Sequence, residues 1–350
     1  KILGECMKKI FKIICFTSIL ILLWKYVFSI LWLPKNNISF FYDEKENSID
    51  VIYIGGSNVH HHFNNLLAYH LYGFTTYLLS SGIQQFTLTK SLIEESRKYQ
   101  NPKLYVIDLA RLTDDFESSY NEPWGRFVVD SLKNSKTRTM AINEMLEYAK
   151  VEKSQYINYY FSFFKYHNSW KDINRQSFNS TLNEFKGYYA YDYAFEVNPQ
   201  ETFVWKDDIE PLEPDNEKVL LDLIEYIENN DLNVLFVIPK STFWTPNYER
   251  LNYATEIIKK HNLDIINFNK LDDIDLNYET DFYDKIHLNV YGATKYTLYF
   301  SKYLKEKYNL GNNQDDEIFS SWNQEYNRFV DKFNNVTGEN FESILERYLK

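Results

Sequence analysis

Four strand-forming residues, Val51-Ile52-Tyr53-Ile54, run without a charge into Gly55-Gly56-Ser57-Asn58. An apolar run lacking polar alternation is what a strand buried on both faces requires, and such strands belong to parallel sheets covered by helices. The pattern returns at residues 104–109 and 232–238, with shorter runs at 77–79 and 264–268. Helical stretches fall between them, at 57–72, after the turn at 80–85 through about Tyr99, and at 216–229, 248–260 and 292–308. Alternating strands and helices dictate an α/β fold, a parallel sheet with right-handed crossovers. Ser57 then lies at the carboxyl end of the first strand, the edge where open α/β sheets place their sites.

Residues 113–212 break this rhythm. They are rich in aromatics, as in Tyr159-Tyr160-Phe161-Ser162-Phe163-Phe164 and Tyr188-Tyr189-Ala190-Tyr191, with helical spacing over 140–153 and 155–170. No Gly/Ser-rich or Pro-rich linker flanks them, so they read as a helical cap inserted into one domain of residues 48–310, with a separate domain as the other reading. The charged and aromatic tail 311–350 reads as one or two surface helices.

Residues 10–34 are apolar apart from Lys12 and Lys25, with Lys8, Lys9 and Lys12 at their start. The length suits a single-pass membrane anchor over 1–34, and the positive-inside bias puts the rest of the chain, after a connector at 35–47, outside the cytoplasm. No A-x-A cleavage site follows, in keeping with a retained anchor. A cleaved signal or a core helix also fits, and Lys25 in mid-span counts against a clean anchor. Met7-Lys8-Lys9 reads as a natural start, which sets residues 1–6 apart. Cys6 and Cys15 are the only cysteines, so no disulfide ties the outer domain. The net charge of −11, with no basic stripe, excludes nucleic acid as a partner. Aromatic residues make up 18% of the chain, more than a core asks for; carbohydrate-facing grooves and a bias of codon usage both account for the excess.

A serine hydroxyl becomes a useful nucleophile only beside a base, and the base needs a group to fix its tautomer. Ser57, His287 and Asp284 supply those roles in the order Ser, Asp, His. A carboxylate three residues before the imidazole on one loop can fold back to its Nδ1. Ser57 alone also fits a helix N-cap. His60-His61-His62 invites a metal reading, but consecutive helical positions point in different directions and cannot converge on one ion. The chemistry calls for no metal and no cofactor. His167 is either a packed cap residue or a substrate contact.

With these residues the chain resembles the SGNH (GDSL-like) hydrolase superfamily, in its membrane-anchored Gram-positive form related to D-alanine transfer and alginate acetylation proteins. Gly55-Gly56-Ser57 stands in place of its first block, Asp284-Lys285-Ile286-His287-Leu288-Asn289 with Gly292 in place of its last. Segments around Asp130 to Ser135, Tyr166 to Trp170 and Lys186-Gly187-Tyr188 extend the likeness through 48–308. The resemblance implies a flavodoxin-like α/β/α sandwich and ester chemistry. It also implies an oxyanion site from the backbone of Ser57 and Gly82, and substrate contacts from Asn58, Gln84 and His167. Two departures stand out. Leu109-Ala110-Arg111-Leu112 replaces the usual Gly-x-Asn, so an oxyanion donor is missing unless Arg111 substitutes. Asn58 follows the serine where the anchored subgroup commonly has His.

Two function classes follow. One is an O-acyltransferase or acyl esterase acting on an envelope polysaccharide or teichoic-acid-like polymer, with that glycopolymer, an acyl donor and a membrane acyltransferase as expected partners. The other is a non-catalytic binding or assembly protein of the envelope on the same frame, which the missing third-block Asn favours.

Overall fold

The structure, a computed structural model, describes residues 2–31, 36–172, 184–195, 205–240, 247–271, 274–311 and 320–350. The expected end of the anchor at Pro34, parts of the insertion and the start of the tail lie outside these residues. Five strands form one sheet: β1 (Val51–Gly55), β2 (Thr76–Ser80), β3 (Leu104–Asp108), β4 (Val234–Ile238) and β5 (Asp264–Asn267). All pairings are parallel, in the order β2-β1-β3-β4-β5. Every residue of β1 to β4 is buried, as the uninterrupted apolar runs require, while edge strand β5 buries only Ile266.

Among the described residues the α-helices of six or more residues are α1 (Ile2–Leu31), α2 (Ser57–His62), α3 (Asn65–Tyr72), α4 (Thr89–Ser96), α5 (Glu122–Val129), α6 (Lys136–Tyr148), α7 (Pro214–Asn229), α8 (Tyr248–Lys260), α9 (Val290–Tyr308), α10 (Ser320–Thr337) and α11 (Phe341–Tyr348). The chain steps from β1 to β2 in one direction and from β2 through β3 and β4 to β5 in the other. With right-handed crossovers, the α3 connection therefore covers one face and the α4, α7 and α8 connections the opposite face. Packing agrees: α3 touches β2, α9 and α10, whereas α4 touches α6 and α7, and α7 touches α8. The reversal leaves a crevice at the carboxyl ends of β1 and β3.

The expected helix over 57–72 is two helices. Phe63 leaves helical geometry (φ −111°, ψ 108°), the Asn64 amide donates to Thr297 Oγ1, and the Asn64 side chain caps α3 through Leu67 N. Within the insertion, 155–170 breaks into short turns instead of one helix. Asp130 and Arg138 cause this. The Arg138 guanidinium takes the carbonyls of Tyr159 and Tyr160, which a continuing helix would use, and Asp130 accepts from Ser162 Oγ at 2.6 Å. The same fully buried carboxylate also meets Arg126 at 3.2 Å, Arg138 at 3.0 Å and Tyr166 Oη at 2.9 Å.

The tail is a second correction. Its helices α10 and α11 bury Trp322, Tyr326, Phe329 and Phe333, spaced four, three and four residues apart, together with Phe341, Ile344 and Leu345. Trp322 meets Tyr69 of α3 at 5.7 Å and Phe329 meets Phe341 at 4.9 Å, so the tail is part of the core layer over α3, not a surface appendage. At the other terminus α1 exposes Ile10, Phe11, Ile13, Phe16 and a run from Ile19 to Trp24, and touches the insertion through Trp24 and Phe163. Among the described residues no helix is long and apolar enough to cross a membrane.

Candidate active site

Strand β1 delivers Ser57 to the sheet edge. Gly55 lies against Asp108 and Val59 so closely that a Cβ there would overlap both side chains. Gly56 is extended (φ −80°, ψ −160°) and Ser57 opens α2, whose first amides lack intrahelical partners. The Ser57 side chain does not cap the helix. Its Oγ lies 2.7 Å from His287 Nε2 instead, which removes the capping role as its local explanation.

His287 and Asp284 come from the loop before α9, and that loop is fastened from within. Phe282 bridges Leu288, the Tyr283 amide donates to the His287 carbonyl at 3.1 Å, and the Asn289 amide to the Asp281 carbonyl at 3.0 Å. Asn289 then caps α9 through the amides of Tyr291 and Gly292. Gly292 has no room for a side chain, because a Cβ would run into the Asp281 carbonyl oxygen. The loop thus lies directly on the helix.

Within it, His287 Nδ1 is 2.8 Å from Asp284 Oδ2, while Asp284 Oδ1 accepts from the amides of Ile286 and His287, each at 2.8 Å. Burial alone would raise the Asp284 carboxyl, but hydrogen bonds from the His287 ring and the two amides hold it below the usual carboxylate range. A carboxylate can only accept, so Nδ1 carries the proton and Nε2 turns its lone pair to the Ser57 hydroxyl. Such a relay of carboxylate, imidazole and hydroxyl can activate the hydroxyl for attack on an electrophilic carbon.

The three histidines of α2 do not gather as ligands, and no group suited to a metal occurs among the described residues. His61, four residues after Ser57 and on its face of the helix, packs its ring 4.8 Å from that of His287. Burial and the charge of His287 push His61 down to about 3, so it stays neutral beside His287. Tyr283 stacks on His287 at 5.4 Å and 8°. Sequence reasoning missed both, although the i, i+4 spacing from Ser57 was there to find His61. It also missed Asp108, whose Oδ1 accepts the Ala110 amide at 2.7 Å and whose side chain lies against Gly55 beneath the serine. Burial pushes Asp108 up to about 7 against the pull of the Ala110 amide, Arg111 and the Gly56 amide.

Two cavities of about 470 and 480 Å³ meet at Ser57, and Arg111 and Ile286 also line both. Asn58 faces the first with Gly56; Gly82 faces the second with His287. A Cβ on Gly82 would sit 2.5 Å from the Trp124 ring, so glycine lets the ring close over this turn. Arg111 stands at the site with its guanidinium on Asp114 at 2.8 Å. Two expected contacts fall elsewhere. Gln84 is buried outside both cavity walls, because the chain turns inward after Ile83 to pack Phe86 and Leu88. His167 bonds to the Phe164 carbonyl at 2.8 Å and packs on Phe163 in the broken helical segment, away from Ser57. Comparison with models of protein families finds no match for this chain, and comparison with curated proteins finds none.

Proposed function

We propose that this chain is a serine acyl-transfer enzyme of SGNH type, an O-acyltransferase or acyl esterase acting on a cell-envelope polysaccharide or teichoic-acid-like polymer. The observation that carries the reading is the continuous hydrogen-bonded line from Asp284 through His287 to Ser57 at the switch point of the sheet. The 2-1-3-4-5 strand order, with helices on both faces, supports the flavodoxin-like sandwich that the resemblance implies. The apolar surface of α1 supports attachment to a membrane, and Lys8, Lys9 and Lys12 at its start are the reason to place the sheet domain on the outer side.

Ser57 Oγ attacks the ester carbonyl as His287 Nε2 takes its proton, and Asp284 holds the imidazolium that forms. The amides of Ser57 and Gly82, with Arg111 beside them, face the negative charge on the carbonyl oxygen. Collapse breaks the bond to the alcohol, which leaves with the proton from Nε2, and the acyl group stays on Ser57. A sugar hydroxyl or water then attacks that acyl-enzyme, giving its proton to Nε2 and finally restoring Ser57. The test is an active-site-directed phosphonate, which should label the unaltered chain and spare Ser57→Ala; equal labelling of both sinks the proposal.

One observation favours a second reading, a binding protein on the same frame. The third-block position holds Ala110 and Arg111, and Arg111 is engaged by Asp114. On that reading Ser57→Ala and His287→Ala leave the cellular role intact, and a polymer-acylation defect in a Ser57→Ala strain counts against it.

A further inference from the structure

The two cavities that meet at Ser57 differ in what the base can reach. His287 lines only one of them, together with His61, Trp124, Tyr189 and Tyr191; the other is walled by Ala110, Trp205, Ile238, Pro239 and Leu251. In acyl transfer the departing or arriving alcohol exchanges its proton with the base and must come within hydrogen-bond reach of it. The acyl substituent has no proton to exchange and is free to lie on the far side of the nucleophile.

The wall on the His287 side carries a second mark. Ser81 and Asn37 line this cavity, and just behind its surface Ser81 Oγ and Asn37 Oδ1 are sealed from solvent with no hydrogen-bond partner among the described residues. A buried polar atom left unsatisfied costs about 1–3 kcal/mol, so a side-chain rotation that turned either group into the cavity to meet a ligand hydroxyl would be favoured. Trp124, Tyr189 and Tyr191 add aromatic faces next to them, the combination of apolar ring and fixed polar group that orients a sugar. On the other side the polar groups, Asn58, Lys240, Lys285 and Asn269, accompany an aliphatic wall.

We propose that the cavity holding His287 is the alcohol subsite, built for a glycosyl hydroxyl group, and that the cavity walled by Ile238, Pro239 and Leu251 takes the acyl group. The assignment rests on Ser57 being the nucleophile. It is tested with p-nitrophenyl alkylphosphonates of methyl and hexyl chain, reading the rate of the Ser57 adduct by mass spectrometry. Leu251→Trp narrows the acyl cavity and should lower the hexyl-to-methyl rate ratio at least tenfold. Trp205→Ala, which adds no bulk to the core, should raise it at least threefold. Tyr191→Ala and Ser81→Val should leave that ratio within twofold while weakening, about tenfold, the protection given by methyl β-glucoside or methyl β-N-acetylglucosaminide. Melting temperatures confirm that each variant is folded. The assignment is overturned if the ratio follows Tyr191 and ignores Leu251 and Trp205, or if neither glycoside slows labelling of the unaltered chain. No Ser57 adduct in the unaltered chain would overturn the nucleophile itself, a distinct failure.

Discussion

Replacing Asp284 by Asn should damage the relay more than removing the side chain. In the structure Asp284 Oδ1 is fixed by two amides, those of Ile286 and His287, both at 2.8 Å, and Oδ2 receives the His287 Nδ1 proton. An Asn side chain has one oxygen. The two amides claim it, and the NH₂ group is left facing Nδ1. The ring must then accept at Nδ1 and carry its proton on Nε2, where it can no longer take the Ser57 proton. Wrong-tautomer trapping of this kind costs about 10⁴ in kcat in the serine protease case. Asp284 is less enclosed, with 40% of its side chain exposed, so competing water brings the expected loss to roughly 10³. Asp284→Ala leaves the ring free to choose its tautomer and should retain at least tenfold more activity than Asp284→Asn. The assay is the phosphonate labelling rate of Ser57 at neutral pH, with melting curves to match folding. An Asn variant within tenfold of the unaltered chain, or an Ala variant slower than the Asn variant, would refute the reasoning.

Asp108 has its folded pKa raised to about 7 from an unfolded value near 3.8. A raised acid binds protons more tightly when folded, so its contribution to stability is full below the unfolded value and is lost as pH rises through 7. At one unit per 1.36 kcal/mol the span is about 4 kcal/mol as an upper bound; this contribution to the melting temperature should fall between about pH 4 and pH 7 and level off above, and Asp108→Asn should flatten that slope. Gly82→Ala forces a methyl against the Trp124 ring, and displacing this turn should cost about 1–3 kcal/mol in stability and about 10² in labelling rate. Trp322→Ala should cost about 3–5 kcal/mol in a denaturant titration, because the tail is core. A loss below 1 kcal/mol would return α10 to the surface.

Much of this was readable in the chain. The buried runs at 51–54 and 104–109 gave strands within a residue or two, because double-sided burial leaves no room for polar alternation. The pairing of Ser57 with His287 and Asp284 followed from chemistry, since a hydroxyl nucleophile needs both partners. The misses share a cause. Arg138 and Asp130 break the helix expected after 155 by long-range hydrogen bonds that no local spacing records. Of the expected substrate contacts, Gln84 is taken into the interior by packing, and His167, which had two readings, is held at the surface by a local bond to the Phe164 carbonyl. In the tail the many charges stand on the outer face of α10, while the Trp322, Tyr326, Phe329 and Phe333 spacing already marks a buried one.

The separation of Ser57 from His287 by 230 residues also orders events in time. Chains emerge from the ribosome amino end first, at about 5–20 residues per second. The serine is therefore made well before its imidazole, and a hydroxyl without a base is a weak nucleophile. His287 reaches Ser57 only once the loop is seated on α9 and α9 has docked on α2 and α3. If the proposed acyl transfer is the activity of this chain, competence is thus a late event in its life, and a nascent or half-folded copy is chemically silent toward esters.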